Sequence, residues 1–296
     1  MHILISGASG LIGGALGTAL AAAGHPVTSL VRRVPTSDGE RRWDPAAESL
    51  DPGVLDDVDA VIHLAAESIA QRWTPGRMAR ILQSRRRSTR LLAEASARAR
   101  KPPSAFLCAS AIGYYGDRPG ETLDEESGPG SDFLAEVCQQ WEAACAPLAD
   151  QGVRVVNLRF GMVLSPQGGA LKQMLGPFRL GLGGRLGSGR QTMSWIALDD
   201  VVGAVQHVLA TPTLRGPVNL VTPNPVSNRE LTRTLGKVLR RPAALPAPRF
   251  ALRLALGKMA GPLLLSDQRV LPTRLQSSGF SFQHPELEPA LRHLLL

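Results

Sequence analysis

Short apolar runs alternate with longer amphipathic stretches through the first 160 residues of the chain. The apolar runs predict buried strands at 2–6, 25–31, 59–64, 105–109 and 153–159, with a short edge strand at 41–43. The stretches between them predict helices at 11–23, 75–100 and 132–149. Strands that alternate with helices in this way predict an α/β fold, in which a doubly wound parallel sheet carries helices on both faces.

The pattern changes at Gly168. The segment from Gly168 to Gly189 contains eight glycines and one short predicted helix, so we expect a loop-rich region that contacts substrate. A strand at 218–220 and helices at 201–209, 227–239 and from 285 onward follow. The pattern therefore predicts one α/β unit at 1–167, completed by about 192–222, and a smaller, mostly helical part formed by 168–191 and 223–296.

Composition narrows the class of protein. Hydrophobic residues make up 44% of the 296 positions, which is enough for a sizeable core. The net charge of +8 is scattered along the chain and comes with few aromatic residues, so we expect no nucleic-acid partner. We also expect no signal peptide and no membrane span, because a buried strand begins at His2 and the longest apolar stretch is interrupted by charges. Three cysteines without metal-ligand spacing then indicate reduced thiols in the cytoplasm.

Three glycines follow the first predicted strand at three-residue spacing and lead directly into the first helix. Gly7 permits a tight turn, Gly10 lets the backbone approach a pyrophosphate, and Gly13 allows the helix to pack closely on the sheet. The free N–H groups at the start of the helix would then face the phosphates. This arrangement predicts a dinucleotide site; the alternative is a glycine-rich turn of some other α/β protein.

The end of the second predicted strand indicates which dinucleotide binds. A site for NAD(H) offers an acidic residue there, whereas this chain offers Arg32 and no acid before Asp38. A guanidinium can form forked hydrogen bonds to a 2′-phosphate, so we predict NADP(H) as the cofactor. A solvated arginine at a strand end is the other interpretation.

Several short motifs together resemble the extended short-chain dehydrogenase/reductase superfamily. They are Gly7-x-x-Gly10-x-x-Gly13, Val61 to Ala66, Tyr115-Gly116, Leu158-Arg159 and Asp199-Asp200. More narrowly, the chain is similar to the atypical nucleoside-diphosphate-sugar epimerase-like group with its characteristic C-terminal domain. That likeness depends on the segments 110–116, 141–142, 159–164, 187–189, 268–272 and 279–282.

The resemblance implies that 1–167, completed by about 192–222, is a Rossmann domain that holds NADP(H), and that 168–191 and 223–296 form a substrate-binding lobe. It also implies a set of cofactor contacts. Those expected at the pyrophosphate are Gly7, Ser9, Gly10, Leu11 and Ile12, with Gly13 behind them. It also implies that Arg32 contacts the 2′-phosphate, that Leu64 and Ala65 lie beneath the adenosine, and that Val163 approaches the nicotinamide.

The chain departs from the superfamily at its proton donor, a tyrosine four residues before a lysine. Leu134 and Cys138 occupy those two positions. Ser110 and Tyr114 become the candidate catalytic residues, although Ser110 is equally consistent with a capping serine and Tyr114 with a structural aromatic. Cys138 is consistent with a reactive thiol or with a packing group.

Arg85 lies within the apolar stripe of the long predicted helix, seven residues after Met78 and seven before Leu92. An inward-facing arginine needs an anion or several acceptors. We therefore predict that Arg85 contacts the cofactor or substrate in place of the missing lysine; a buried ion pair is the alternative.

The remaining candidates are substrate-lobe contacts. Glu67 is a possible general base, Arg159 is a support residue or a contact for a substrate anion, and Gln191 and Trp195 are contacts without a catalytic role. The six histidines look isolated, so we expect no metal site.

The sequence as a whole indicates an NADP(H)-dependent oxidoreductase or epimerase-like enzyme that acts on a small polar carbonyl or hydroxyl compound. The missing proton donor leaves an alternative open, an NADP(H)-binding redox sensor or regulatory protein with little or no turnover. We expect a monomer or a homodimer.

Overall fold

The computed structural model describes the backbone of all 296 residues and every side chain except that of Pro52. The strands are β1 (Ile3–Ser6), β2 (Val27–Val31), β3 (Glu40–Asp44), β4 (Ser49–Leu50), β5 (Ala60–His63), β6 (Ala105–Ala111), β7 (Thr122–Leu123), β8 (Arg154–Phe160), β9 (Met162–Leu164), β10 (Thr192–Met193), β11 (Trp195–Ala197), β12 (Gly216–Leu220), β13 (Val226–Ser227) and β14 (Arg269–Val270). The α-helices are α1 (Leu11–Ala22), α2 (Pro75–Arg98), α3 (Phe133–Ala143), α4 (Ala146–Ala149), α5 (Gly169–Arg179), α6 (Leu198–Ala210), α7 (Asn228–Leu239), α8 (Arg249–Leu256), α9 (Thr273–Ser277) and α10 (Leu287–Leu295).

Eight strands form one sheet in the order β12-β8-β6-β5-β1-β2-β3-β4. Every neighbouring pair is parallel except β3 with β4. The chain runs outward from β1 through β2 and then returns to β5 on the other side of β1. This reversal creates a crevice at the carboxyl ends of β1 and β5, where open α/β sheets bind ligands. The predicted α/β fold with a doubly wound sheet is therefore confirmed.

Helices pack in two groups against the sheet. Helix α1 lies beside α6, and α2 lies beside α3 and α4. The central strands are completely buried between the groups, as at Leu4 and Val61. This burial on both faces explains why these strands are continuous apolar runs in the sequence rather than alternating ones.

A second apolar core lies apart from the sheet. It joins one face each of α5, α7 and α10, for example through Leu175, Leu235 and Leu291. Leu164 and Trp195, which lie outside the predicted lobe boundaries, also belong to this core. Pairing of β9 with β11 and of β7 with β14 connects this part of the chain to the region around the main sheet.

Two predicted elements differ in the structure. The helix predicted at 132–149 is divided into α3 and α4, because Pro147 has no N–H to continue the hydrogen-bond ladder. The strand around Trp43 is not the edge of the sheet, since β4 pairs with it and takes that place. Among the described helices, none combines the length and the apolarity needed to cross a bilayer.

Candidate functional site

The turn after β1 packs backbone to backbone against its neighbours. Gly7 has φ +79°, and a Cβ there would lie 2.9 Å from the amide nitrogen of Ala65. A Cβ at Gly13 would lie 2.2 Å from the carbonyl oxygen of Gly7. Both positions therefore require glycine because the backbones approach so closely, and Gly7 also requires it because of its positive φ. The structure thus brings Gly7, Gly13, Leu64 and Ala65 together, as the resemblance implies.

The first turn of α1 has unused hydrogen-bond donors. Its N-cap is Gly10, which supplies no side-chain cap, and no acidic residue lies in the first turn. The first N–H groups of a helix have no partner within the helix, and the helix dipole adds partial positive charge there. Ser9 and Gly10 are exposed, and Leu11 and Ile12 are half-buried. This surface is suited to an anion such as a diphosphate.

A buried polar network supports the turn from below. The Oγ of Ser6 lies 2.6 Å from Nδ1 of His63, and Nε2 of His63 lies 3.1 Å from Oγ of Ser88. Ser6 also accepts hydrogen bonds from the amides of Leu64 and Ala65. Burial lowers the pKa of His63 to about 3, so the imidazole is neutral. No local sequence pattern predicts this network, because its members belong to three separate elements, β1, β5 and α2.

The end of β2 carries two exposed arginines, one of which is engaged in an ion pair. Arg33 forms an ion pair with Glu40, and this contact holds the pKa of Glu40 at about 2. Arg32 is exposed beside it. Asp38 is the first acid after the strand in the sequence, but it is Glu40 that reaches Arg33, because β3 runs parallel beside β2. The guanidinium of Arg33 neutralises this carboxylate.

Polar side chains follow one another across the carboxyl ends of three strands on the other side of the sheet. Ser110 of β6 is in register with Arg159 of β8, which is in register with Asn219 of β12. Glu142 of α3 joins two of them. Its carboxylate accepts a hydrogen bond of 2.7 Å from Ser110, and two of 2.8 Å from Arg159. Glu142 is therefore a functional candidate. In the sequence it stood out only as part of the family segment 141–142, with no role predicted for it.

The two tyrosines have different surroundings. The hydroxyl of Tyr115 donates to Asn219 at 2.8 Å and accepts from Arg159 at 3.0 Å. Burial raises the pKa of Tyr115 to about 12, although the charge of Arg159 opposes the rise. Tyr114 is half-buried, and the guanidinium of Arg159 lies 3.5 Å from its ring centroid. Tyr115 is therefore a structural phenol, and Tyr114 is the one with an accessible side.

The positions of the missing proton donor are apolar in character. Leu134 and Cys138 are both buried on α3. Burial, together with the charge of Glu142, raises the pKa of Cys138 to about 12. The thiol therefore remains protonated at neutral pH, which favours the packing interpretation of Cys138 over a reactive thiolate.

Arg85 is buried, as the apolar stripe predicted. Its Nη1 donates to the carbonyl oxygens of Glu67 at 3.0 Å and Ile81 at 3.1 Å, and its guanidinium lies 4.7 Å from the ring centroid of Trp141. Burial lowers its pKa to about 10, so it is a cation at neutral pH. The carboxylate of Glu67 forms a separate ion pair with Arg77 at 2.8 Å. Arg85 thus positions the backbone just beyond Ala65.

Three other predicted residues are structural in their observed contacts. Gln191 donates to the carbonyls of Leu186 and Leu264, and Trp195 is completely buried with its indole N–H donated to Asn224. The indole of Trp195 is packed inside the protein, and its contact with substrate stays a prediction. Val163 lies on β9 and pairs with β11.

The histidines are not all isolated, and that expectation is wrong. The rings of His284 and His293 stack with centroids 4.2 Å apart, and Nε2 of His293 lies 2.9 Å from Oδ2 of Asp199. Asp199 is 94 positions from His293, so only the folded chain brings these two residues together.

Comparison with known proteins identifies the family. Residues 3–220 match the model of the NAD dependent epimerase/dehydratase family, and residues 247–294 match a domain of unknown function, DUF1731. The chain is 45% identical over 290 residues to an epimerase family protein of Mycobacterium bovis, covering 98% of this chain and 96% of the relative. It is 38% identical over 299 residues to the human epimerase family protein SDR39U1, covering all of both chains.

A solved structure of human SDR39U1 with NADPH superposes with a TM-score of 0.91 at 35% identity, covering 99% of each chain. The resemblance inferred from the sequence is thereby confirmed. The chain belongs to the NAD-dependent epimerase/dehydratase family.

Proposed function

We propose that this chain binds NADP(H) and acts as an oxidoreductase or epimerase-like enzyme on a small polar carbonyl or hydroxyl compound. The observation that carries the proposal is the uncapped start of α1, held by the backbone contacts of Gly7 and Gly13 at the sheet reversal. Ser9, Gly10, Leu11 and Ile12 would hold the pyrophosphate there. The structure solved for human SDR39U1, which contains NADPH, supports this assignment.

The surroundings of β2 favour NADP(H) over NAD(H). Arg32 is exposed at the strand end, where the adenosine ribose of a dinucleotide lies. The nearby acid, Glu40, is already paired with Arg33. A 2′-phosphate could therefore bind the guanidinium of Arg32, and the charge of the nearby Glu40 carboxylate would not repel it because Arg33 neutralises that charge.

At the reactive end, the chain supplies position and a proton. A bound nicotinamide donates or accepts a hydride. Ser110 and Tyr114 lie near the substrate in this proposal, with Arg159 holding the ring of Tyr114 and the carboxylate of Glu142. Tyr114 is the phenol that would exchange the proton, because the hydroxyl of Tyr115 is engaged inside the protein.

Calorimetric titration of NADPH and NADH tests the cofactor assignment. We expect NADPH to bind at least about tenfold more tightly, since a charge-assisted hydrogen bond contributes about 1.5–3 kcal/mol. Arg32→Ala should remove that preference while binding of NADH stays unchanged. Arg86→Ala is the matched control, because Arg86 is an exposed arginine on α2. Equal affinities of the wild type for both dinucleotides would overturn the assignment.

The second candidate function is an NADP(H)-binding redox sensor or regulatory protein with little turnover. The buried Leu134 and the protonated Cys138 favour it, because neither supplies the usual proton donor. Absorbance of the reduced nicotinamide, followed with panels of carbonyl and hydroxyl compounds, separates the two functions. In an enzyme, Tyr114→Phe should lower kcat about 10²-fold or more and leave NADPH affinity unchanged. Tight NADPH binding without turnover of any compound would favour the sensor.

The division into two lobes belongs to the same proposal. The second core of α5, α7 and α10 supports a substrate lobe at 168–191 and 223–296 beside a dinucleotide domain at 1–167 and about 192–222. We also propose that the protein works as a monomer or homodimer in the cytoplasm. Sedimentation of the purified chain would measure its oligomeric state.

A further inference from the structure

We propose that Asp199, His284 and His293 form a binding site for a divalent transition-metal ion of the Zn²⁺ type. One ligand atom from each residue lies within 4.8 Å of the other two. Nε2 of His293 is 2.9 Å from Oδ2 of Asp199, and Nε2 of His284 is 3.8 Å from the same oxygen. The two imidazole rings are nearly parallel, with an angle of 21° between their planes. One donor atom from each of the three residues therefore lies within reach of a single ion.

Other side chains hold the backbone of this cluster in place. The buried carboxylate of Asp200 accepts hydrogen bonds from the amides of Gln283 at 2.6 Å and His284 at 2.9 Å. The hydroxyl of Thr222 donates to the carbonyl of Pro285 at 2.8 Å. These contacts hold the backbone of the segment that carries His284 beside the start of α6, where Asp199 lies.

His293 has a defined position as well. It lies on α10, whose opposite residues Leu287 and Leu291 are buried in the second core. The packed face of the helix fixes the rotation of α10 about its axis, and His293 remains about half exposed. The imidazole is therefore both positioned and accessible to an ion from solution.

The donor types select the class of metal. Two imidazole nitrogens and a carboxylate oxygen suit Zn²⁺, whereas Mg²⁺ and Ca²⁺ prefer oxygen ligands. Zinc bonds of about 2.0–2.1 Å in a tetrahedron place neighbouring ligands roughly 3.3 Å apart. The two observed separations of 2.9 and 3.8 Å between imidazole nitrogen and carboxylate oxygen lie on either side of this value. The stacked imidazole rings would rotate apart so that both nitrogens point toward the ion.

Three protein ligands leave a coordination position open to water or to a small ligand. Asp199 and His293 line a cleft of about 450 Å³, together with Leu11 at the start of α1 and Ser165 after β9. The open position is therefore beside the cleft rather than inside the protein. The site is separate from Ser110 and Glu142 at the reactive end.

Metal binding would connect three parts of the chain. Asp199 belongs to the first turn of α6, His284 to the segment before α10, and His293 to α10 itself. An ion that binds the folded chain alone stabilises it by mass action. For a chain of this length, a hundredfold excess over Kd should raise Tm by about 4 °C.

Titration of the chelator-treated full chain with ZnCl₂ tests the proposal. We expect one equivalent to bind, and Co²⁺ in its place to show the visible absorption of a four-coordinate ion. His293→Gln, His284→Gln and Asp199→Asn should each weaken binding at least about tenfold, since loss of an outer partner alone costs about 10–100-fold. His25→Gln is the matched control, because His25 is a histidine at the N-terminal end of the structure, near the amino group of Met1.

The variants must first match the wild type in Tm when chelator is present, and His293→Gln is the least disruptive because its side chain is half exposed. Absence of zinc uptake by the wild type would overturn the proposal. So would an unchanged zinc affinity in all three ligand variants. The titration contains no dinucleotide, so its outcome is independent of the proposed NADP(H) site.

Discussion

Replacing Gly13 with alanine tests the physical basis of the dinucleotide turn. The added Cβ would lie 2.2 Å from the carbonyl oxygen of Gly7 and 2.8 Å from its carbonyl carbon. Both are backbone atoms, so no side-chain rotation can relieve the overlap. Close carbon–oxygen contacts in proteins are about 3.3–3.6 Å, so the turn must move away from α1 by roughly 1 Å.

This displacement affects stability and binding separately. Overpacking costs about 1–3 kcal/mol, and removal of a helical glycine returns about 0.5–1 kcal/mol. The free energy of unfolding should therefore fall by at most ~2.5 kcal/mol. Misalignment of one N–H group with a phosphate removes about 1.5–3 kcal/mol of binding, which corresponds to a Kd for NADPH that is roughly 10- to 100-fold higher.

Gly17→Ala supplies the matched control within the same helix. A Cβ at Gly17 has no atom of another element within 4 Å. This variant should gain about 0.5–1 kcal/mol in urea denaturation and keep the wild-type Kd in calorimetry. If Gly13→Ala bound NADPH as tightly as Gly17→Ala does, the inferred role of the close backbone contact would be refuted.

Three further predictions concern buried charge. Burial lowers the pKa of His63 to about 3, whereas this histidine keeps its ordinary pKa of about 6.5 in the unfolded chain. Below that ordinary pKa only the unfolded chain takes up the proton, so the free energy of unfolding should be ~2 kcal/mol lower at about pH 5 than at neutral pH. Urea denaturation of His63→Asn should lack this loss, and equal pH dependences of the variant and the wild type would contradict the prediction. Glu142→Gln should lower the free energy of unfolding by about 3–5 kcal/mol because it leaves Arg159 buried without a carboxylate, and a loss below about 1 kcal/mol would argue against this pairing. Arg85→Ala should raise the Kd for NADPH in calorimetry, whereas Arg86→Ala, an exposed neighbour, should not; equal values in both would remove Arg85 from the site.

Local patterns in the sequence were sufficient to predict the first βαβ unit. The helix predicted at 11–23 is observed as Leu11–Ala22, and the glycines at 7 and 13 make the contacts that the motif implies. Strand and helix periodicity act over a few residues, and a glycine requirement is local in origin. The inward position of Arg85 was also predictable, because the helical repeat determines which residues share a face.

Contacts between distant elements were not predictable. Glu142 accepts hydrogen bonds from Ser110 and Arg159, which belong to two different strands. Asp199 and His293 are 94 positions apart and meet at the packed ends of two helices. A single sequence indicates which face of a helix or strand is buried, but it does not indicate which other helix or strand packs against that face. For this reason the reactive end was less predictable than the dinucleotide turn.

The hydrogen bonds at the reactive end also constrain how a substrate can be held. Ser110 already donates its proton to Glu142, whose two oxygens accept from Arg159 as well. An ionised carboxylate can only accept, so the hydroxyl of Ser110 retains lone pairs but no free proton. A substrate hydroxyl can donate to those lone pairs, whereas a substrate carbonyl would have to displace Glu142 first. If Ser110 and Tyr114 contact the substrate as proposed above, the network favours a substrate hydroxyl as the partner of Ser110 and leaves Tyr114 as the donor toward a carbonyl.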